Sequence, residues 1–294
     1  MKKDTIAIIG LGKVGTAVGY LLRRAGYEIR AVADNSVDAM ERGISYTGGE
    51  GFSDPVRASM QADAIFITTP DDFIESVCNE ISQGGGVSPG KRVVHMSGAG
   101  GLNLLESARG NGAQVASIHP LQSFADVKGV IETIPGSTFA ITADGETKDW
   151  AMGIVADLGG TPFLVSETDK PLYHAAACVA SNYLVTLMSI VEDIYLNLGM
   201  NSDEAVKSFW PLVRGTMKNM EGRGIAKSLT GPIARGDSGT IRTHLKVLRE
   251  KTPELLEIYR TMGLATVEIG LRNKTLSEER AGEIKSLLKG ALDE

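Results

Sequence analysis

The spacing of apolar positions changes part-way along the chain. Over the first 165 residues or so, short β-rich apolar runs alternate with stretches whose apolar residues return at helical spacing. Runs at 5–9, 29–33, 64–68, 92–96, 115–118, 138–142 and 162–165 predict strands, and 15–25, 37–42, 72–83, 102–108 and 147–158 predict helices. Such alternation implies a doubly wound, mainly parallel α/β sheet rather than a sandwich or a bundle.

Beyond Ser166 the strand pattern stops. Asp169-Lys170-Pro171 predicts a helix N-cap with proline in the first turn, and the helix it opens is expected to run to Gly199. Within it, residues 175–191 carry no formal charge and approach the length of a membrane span. Ser181, Asn182, Thr186 and Ser189 interrupt that stretch, so a buried central helix is expected and no membrane contact. Ser202 is read as the cap of the next helix, and further helices are predicted at 240–250, 253–272 and 277–292. The expected domains are 1–166, binding a nucleotide, and an all-helical 167–294 that completes the substrate site.

A length of 294 residues suits two such domains. The 35 glycines call for many tight turns. A net charge of −6, with both signs interspersed, leaves no basic stripe for nucleic acid or anionic lipid. Cys78 and Cys178 lie far apart without metal-type spacing, so neither a disulfide framework nor a metal site is expected, and a reducing, cytoplasmic compartment fits. The Met-Lys-Lys start resembles a signal peptide, but the apolar run 6–11 is too short for one and leads directly into a glycine loop.

That loop is Gly10-Leu11-Gly12-Lys13-Val14-Gly15, with G-x-G-x-x-G spacing between a predicted strand and a predicted helix. Gly10 permits the turn, Gly12 lets a pyrophosphate approach backbone N–H groups, and Gly15 lets helix and strand pack closely. Asp34 ends the second predicted strand. There a carboxylate accepts hydrogen bonds from ribose hydroxyls, favouring NAD, or caps the following helix. Asn35 and Ser36 stand where NADP enzymes often carry arginine, and NADP use through them stays open. Thr68, Thr69 and Pro70 end another strand at the nucleotide crevice, where Thr69-Pro70 also reads as a helix start.

Four further groups carry candidate chemistry. Ser97, in His95-Met96-Ser97-Gly98-Ala99-Gly100-Gly101, should border the nicotinamide end and hold a substrate carboxylate or carbonyl, unless the segment is an ordinary turn. His119, in His119-Pro120-Leu121-Gln122-Ser123-Phe124, is placed after a strand, as a proton donor or a structural histidine. His174, Cys178 and Asn182 have i, i+4, i+8 spacing and should share one helix face, lining a cleft or bonded to neighbouring elements. Arg235, in Thr230-Gly231-Pro232-Ile233-Ala234-Arg235-Gly236-Asp237, is a candidate anion clamp or part of a structural loop.

These motifs, with Ser117-Ile118 ahead of His119, Tyr173-His174-Ala175-Ala176-Ala177, Ser181-Asn182-Tyr183 and His244-Leu245, cover nearly the whole chain. The chain resembles the Rossmann-like proteins that carry a DUF2520 domain, NAD(P)-dependent oxidoreductases related to pyrroline-5-carboxylate reductase. The resemblance implies a helical domain like that of 6-phosphogluconate dehydrogenase, usually building a homodimer in which the partner chain can close the cleft. Asp34-Asn35-Ser36 replaces a Ser-Arg-Ser type sequence common among relatives, which weakens the case for NADP. His119-Pro120 also resembles, less closely, the His-Pro turn of prephenate dehydrogenases.

The function expected is hydride transfer between NAD or NADP and a small carboxylate-bearing imino or keto substrate. His174 or His119 would donate the proton, Ser97 and Asn182 would position the substrate and Arg235 would clamp an anion. The competing readings are a dinucleotide-binding sensor without turnover and a prephenate-dehydrogenase-like enzyme. Side chains of Ser97, His119, His174 and Asn182 that meet at one point would speak for an enzyme.

Overall fold

The computed structural model describes residues 3–290. The chain forms two compact units, Met1–Asn182 and Tyr183–Glu294. In the first, the apolar runs assemble into one eight-stranded sheet of β1 (Thr5–Ile9), β2 (Glu28–Ala33), β3 (Glu50–Phe52), β4 (Ala64–Ile67), β5 (Arg92–His95), β6 (Gln114–Pro120), β7 (Thr138–Ala143) and β8 (Thr161–Leu164). The strand order is β3-β2-β1-β4-β5-β6-β7-β8, parallel throughout except for the antiparallel pair β6 and β7.

Alternation along these strands feeds two apolar layers. Ile6, Ile8 and Phe66 pack into one, Ala7, Ile9, Ile65 and Ile67 into the other. With both faces covered, β1 and β4 are buried at every position, which is why they read as continuous apolar runs. Each large aliphatic side chain withdrawn from water this way contributes about 1.5–3 kcal/mol. The parallel order β3 to β6 brings the C-terminal ends of β1, β2, β4 and β5 to one edge, where such sheets bind ligands.

Three elements of this unit escape the apolar pattern. β3 is three residues long and buries only Phe52, too little to show a period. The helix Pro55–Met60 carries the Asp-Pro start its cap demands, with Asp54 accepting from the Val56 N–H, but offers a single turn and a half. The helix Val127–Thr133 is capped by Asp126 and buries only Val130. β6 also extends past its predicted end: pairing with β7 carries it through His119 and Pro120, so His119 lies on the strand and not after it.

The expected single helix to Gly199 is broken. Ser181 (φ −112°, ψ −70°) separates Lys170–Ala180 from Asn182–Asn197. The Asp169 side chain does not cap the first of these; its carboxylate accepts from the Ser166 hydroxyl. The helix Lys170–Ala180 counts with the sheet, because the compact division falls after Asn182 and not at 166/167.

Nor is residues 175–191 a buried helix. Val179, Tyr183 and Val185 are 58%, 60% and 69% exposed, and Glu167–Asn197 is long and apolar enough to cross a membrane by length and composition. Apolar composition says that a face should be covered, not by what.

The second unit contains the helices Ser202–Arg223, Ser238–Lys251, Leu256–Arg272 and Glu278–Leu288. Ile241, Leu245, Val267, Ile284 and Leu288 form part of its core. Asn201, not Ser202, is the cap of the first, in a reciprocal capping box with Glu204. Positions 291 and 292 of the last predicted helix lie outside the described residues.

Candidate active site

The glycine loop joins β1 to the helix Lys13–Arg24, and its glycines do different work. Gly10 adopts φ 101°, and its N–H donates to the Ala33 carbonyl at 2.8 Å, tying the loop to β2. A Cβ on Gly15 would stand 2.0 Å from the Gly10 carbonyl oxygen, so only glycine lets the helix pack there. A Cβ on Gly12 would meet nothing within 4 Å. Gly12 is also the helix N-cap and supplies no side-chain acceptor, which leaves this N-terminus able to receive an anion.

A cleft of about 970 Å³ opens there. Gly10, Gly12, Lys13 and Val14 line one side, Asp34 and Asn35 the end of β2, and Thr68, Thr69 and Pro70 the end of β4. The Asp34 carboxylate is held at both oxygens, by the Leu11 N–H at 2.6 Å and the Ser36 N–H at 2.8 Å. It therefore does not cap the next helix; Ser36 does, accepting from the Ala39 N–H. Leu11 contributes its backbone alone, its side chain being buried in the core. Thr68 donates to the Gly10 carbonyl at 2.6 Å and braces the loop. The Thr69 hydroxyl is buried and has no hydrogen-bond partner.

An uncapped helix N-terminus, an open glycine cradle, a fixed carboxylate and an unpartnered hydroxyl together fit the pyrophosphate and ribose of a dinucleotide. A further part of the cleft's lining was not anticipated from sequence. Phe73, Ser76, Val77 and Glu80 line it from the helix Asp71–Gln83 at i, i+3, i+4, i+7 spacing. That spacing is legible in the sequence and is the signal that could have found it; the structure leaves Phe73 58% exposed there.

Asp71, Met96 and Phe124 also line the cleft. Asp71 accepts the Ser97 hydroxyl at 2.6 Å, and the same Ser97 oxygen accepts the Gly100 N–H at 2.8 Å. His95, fully buried, accepts the Ser97 N–H at Nδ1 and so carries its proton on Nε2, facing the Gly101 carbonyl at 3.1 Å. Burial, then the charge of Lys170, lowers its pKa to about 4. His119 Nδ1 meets the Tyr173 hydroxyl at 2.8 Å, and the His119 and His174 rings stand edge to face at 6.1 Å. Burial, then the charges of Lys170 and His174, lowers the pKa of His119 to about 4 as well. Burial raises that of Tyr173 to about 12. Gly98 closes against both rings: a Cβ there would lie 2.6 Å from His174 Cδ2 and 2.9 Å from His119 Nε2.

The rings of His119 and His174 are thus brought together, with the turn that follows Ser97 closed against them, within one unit. Cys178 Sγ lies 3.9 Å from His174 Nδ1, as helical spacing predicts. The helix breaks before Asn182, however, which starts the next helix as an exposed residue, so the three-residue face ends at Cys178. Arg235 is exposed in a turn of the second unit, its N–H bonded to the Gly231 and Pro232 carbonyls. In that unit His244 pairs with the Tyr259 hydroxyl at 2.8 Å. Asp71, Tyr173 and Lys170 join the site without having been singled out. Tyr173 and Asp71 stood beside chosen residues, whereas Lys170 was read as part of a helix start.

Residues 2–120 match the Rossmann-like domain, and residues 137–266 match DUF2520, a domain of unknown function. Among curated proteins none matches. Among solved structures, BF3122 of Bacteroides fragilis, a proposed NADP oxidoreductase, is 19% identical with a TM-score of 0.73, covering 90% of this chain and 98% of that one. Pyrroline carboxylate reductase of Plasmodium falciparum with NADP bound is 14% identical, with a TM-score of 0.59 and coverage of 98% and 99%. Prephenate dehydrogenase of Aquifex aeolicus is 16% identical, with a TM-score of 0.58 and coverage of 90% and 99%. At these identities the likeness is one of fold.

Proposed function

We propose that this protein is an NAD(P)-dependent oxidoreductase that transfers a hydride between the nicotinamide and a small imino or keto acid. The observation that carries the reading is the cleft itself. Its lining joins an uncapped helix N-terminus and the unpartnered Thr69 hydroxyl to Asp71, one hydrogen bond from Ser97. The fold likeness to nicotinamide-dependent reductases and dehydrogenases supports it.

The cofactor supplies the hydride; the chain binds, orients and moves a proton. The first-turn N–H groups of Lys13–Arg24 receive the pyrophosphate, and Asp34 receives the ribose hydroxyls. A 2′-phosphate beside that carboxylate is repelled, so NAD is the preferred form. Ser97, fixed by Asp71 and Gly100, positions the substrate carboxylate or carbonyl. His119 is an uncharged imidazole at neutral pH, paired with Tyr173, and His174 beside it is the proton donor. A sensor without turnover has no need of a His119–His174 pair closed against the turn that follows Ser97, and that arrangement favours the enzyme although Asn182 stands apart from it.

The exposed apolar side chains Leu172 and Val179, with Phe163 and Leu164 on the edge strand β8, favour a second copy of this chain as their cover. Cys78 and Cys178 are free thiols, which suits a cytoplasmic setting.

Titration of the purified protein with NADH and NADPH, followed by bound-cofactor fluorescence, tests the reading. Tighter NADH binding is expected. A screen of cyclic imines, keto acids and prephenate then identifies the substrate, with His174→Ala as the inactive control. Binding of neither nucleotide would overturn the assignment.

A further inference from the structure

Lys170 is the one lysine among the described residues that the fold buries completely, and nothing in the reaction outlined above uses it. Lysine is costly to bury, and a fold keeps such a cation only where its charge and its donors have work. Its ammonium donates to the Ser117 hydroxyl at 2.7 Å and to the Ser97 carbonyl at 3.2 Å. The Ser117 hydroxyl in turn donates to the Ser97 carbonyl at 3.3 Å, closing a triangle between the end of β5 and the middle of β6. Ser97 begins the turn whose hydroxyl reaches Asp71 on the cleft and whose Gly98 closes against His119 and His174.

We propose that Lys170 is a positioning residue of this site: its buried ammonium clamps the Ser97 carbonyl to the Ser117 hydroxyl and so fixes the turn from which the Ser97 hydroxyl holds Asp71, a residue of the cleft's lining. The inference rests on the reductase reading for its effect on turnover, but the clamp itself is a property of the fold.

The same charge acts through space. Asp71 and Glu167 are the carboxylates that favour the charged lysine, against a burial effect that brings its pKa down to about 8, so it is mostly protonated at neutral pH. His95 and His119 are the bases whose protonation it opposes. Lys170 therefore both holds the turn and adds its charge to the burial that keeps the two imidazoles uncharged. Its place at the start of the helix Lys170–Ala180 makes this arrangement depend on the same helix that carries Tyr173 and His174.

The test uses the full chain with Lys170→Met and Ser117→Ala. Hydrogen exchange at the Gly100 amide, whose acceptor is the Ser97 hydroxyl, reports the turn without reference to activity. Both variants should accelerate that exchange at least about tenfold relative to amides of β1. An NMR titration of His119 should move up by roughly one pH unit in Lys170→Met and stay in place in Ser117→Ala, which keeps the charge. In the reductase assay both should lower kcat with the KM for NADH unchanged, and Lys170→Met alone should gain an acidic limb in its pH profile.

Gly100 exchange and His119 titration both unchanged in folded Lys170→Met would overturn the proposal. Should that variant not fold, unaltered Gly100 exchange in Ser117→Ala would overturn it equally. A wild-type protein inert toward every imine and keto acid, with Gly100 and His119 responding as expected, would count against the reductase reading and leave the clamp standing.

Discussion

Gly98 occupies a spot that any side chain would fill. A methyl group there meets His174 and His119 at under 3 Å, and backbone conformation is not the obstacle, since Gly98 is not among the glycines with positive φ. Gly98→Ala should therefore spread the two rings, lowering kcat at least about tenfold while NADH affinity holds, because neither ring lines the cleft. A variant with wild-type kcat would show that the closed histidine edge is irrelevant to turnover. His95 gives the residue scale a pH signature. Its folded pKa of about 4 lies below the ordinary 6.5, so between those values the unfolded chain binds the extra proton. Stability is then complete above pH 6.5 and is lost as the pH falls toward 4, by on the order of 3 kcal/mol. Urea midpoints at pH 7 and 4.5 should differ more in the wild type than in His95→Asn.

At the scale of elements, strands and helices answer to different signals. β1 and β4 could be read directly, because both their faces are buried and every position is apolar. β3 could not, since three residues with one buried side chain have no period. The stretch Glu167–Asn197 shows the converse: its apolar composition was plain, but the break at Ser181 and the exposure of Leu172 and Val179 were not. If a second copy covers this face, Leu172→Glu with Val179→Glu should convert a dimer to a monomer in light scattering without loss of helical content. A wild-type protein already monomeric at micromolar concentration would remove that partner.

The whole molecule responds to ligand by mass action. A nucleotide that binds only the folded chain at about 100 times its Kd adds about 2.7 kcal/mol of stability, so saturating NADH should raise Tm by several degrees. NADPH should raise it less, and Asp34→Ala should narrow the difference by removing the carboxylate that repels the 2′-phosphate. An unchanged difference would take Asp34 out of the ribose site. The response is expected at constant net charge, and neither cysteine is paired, so reducing agent should not alter it.

Local spacing determined the parallel sheet, the glycine loop with its close packing at Gly15, and the presence of Ser97, His119 and His174 at candidate positions. Those are consequences of period and turn chemistry, which act over a few residues. Tertiary structure alone decided that Lys170 is buried, that Asp71 and Tyr173 complete the site, and that Asn182 stands beyond a break. A lysine in the first turn of a helix ordinarily reaches water. Here the turn after β5 and the middle of β6, brought together by pairing between segments apart in sequence, replace that water with a carbonyl and a hydroxyl.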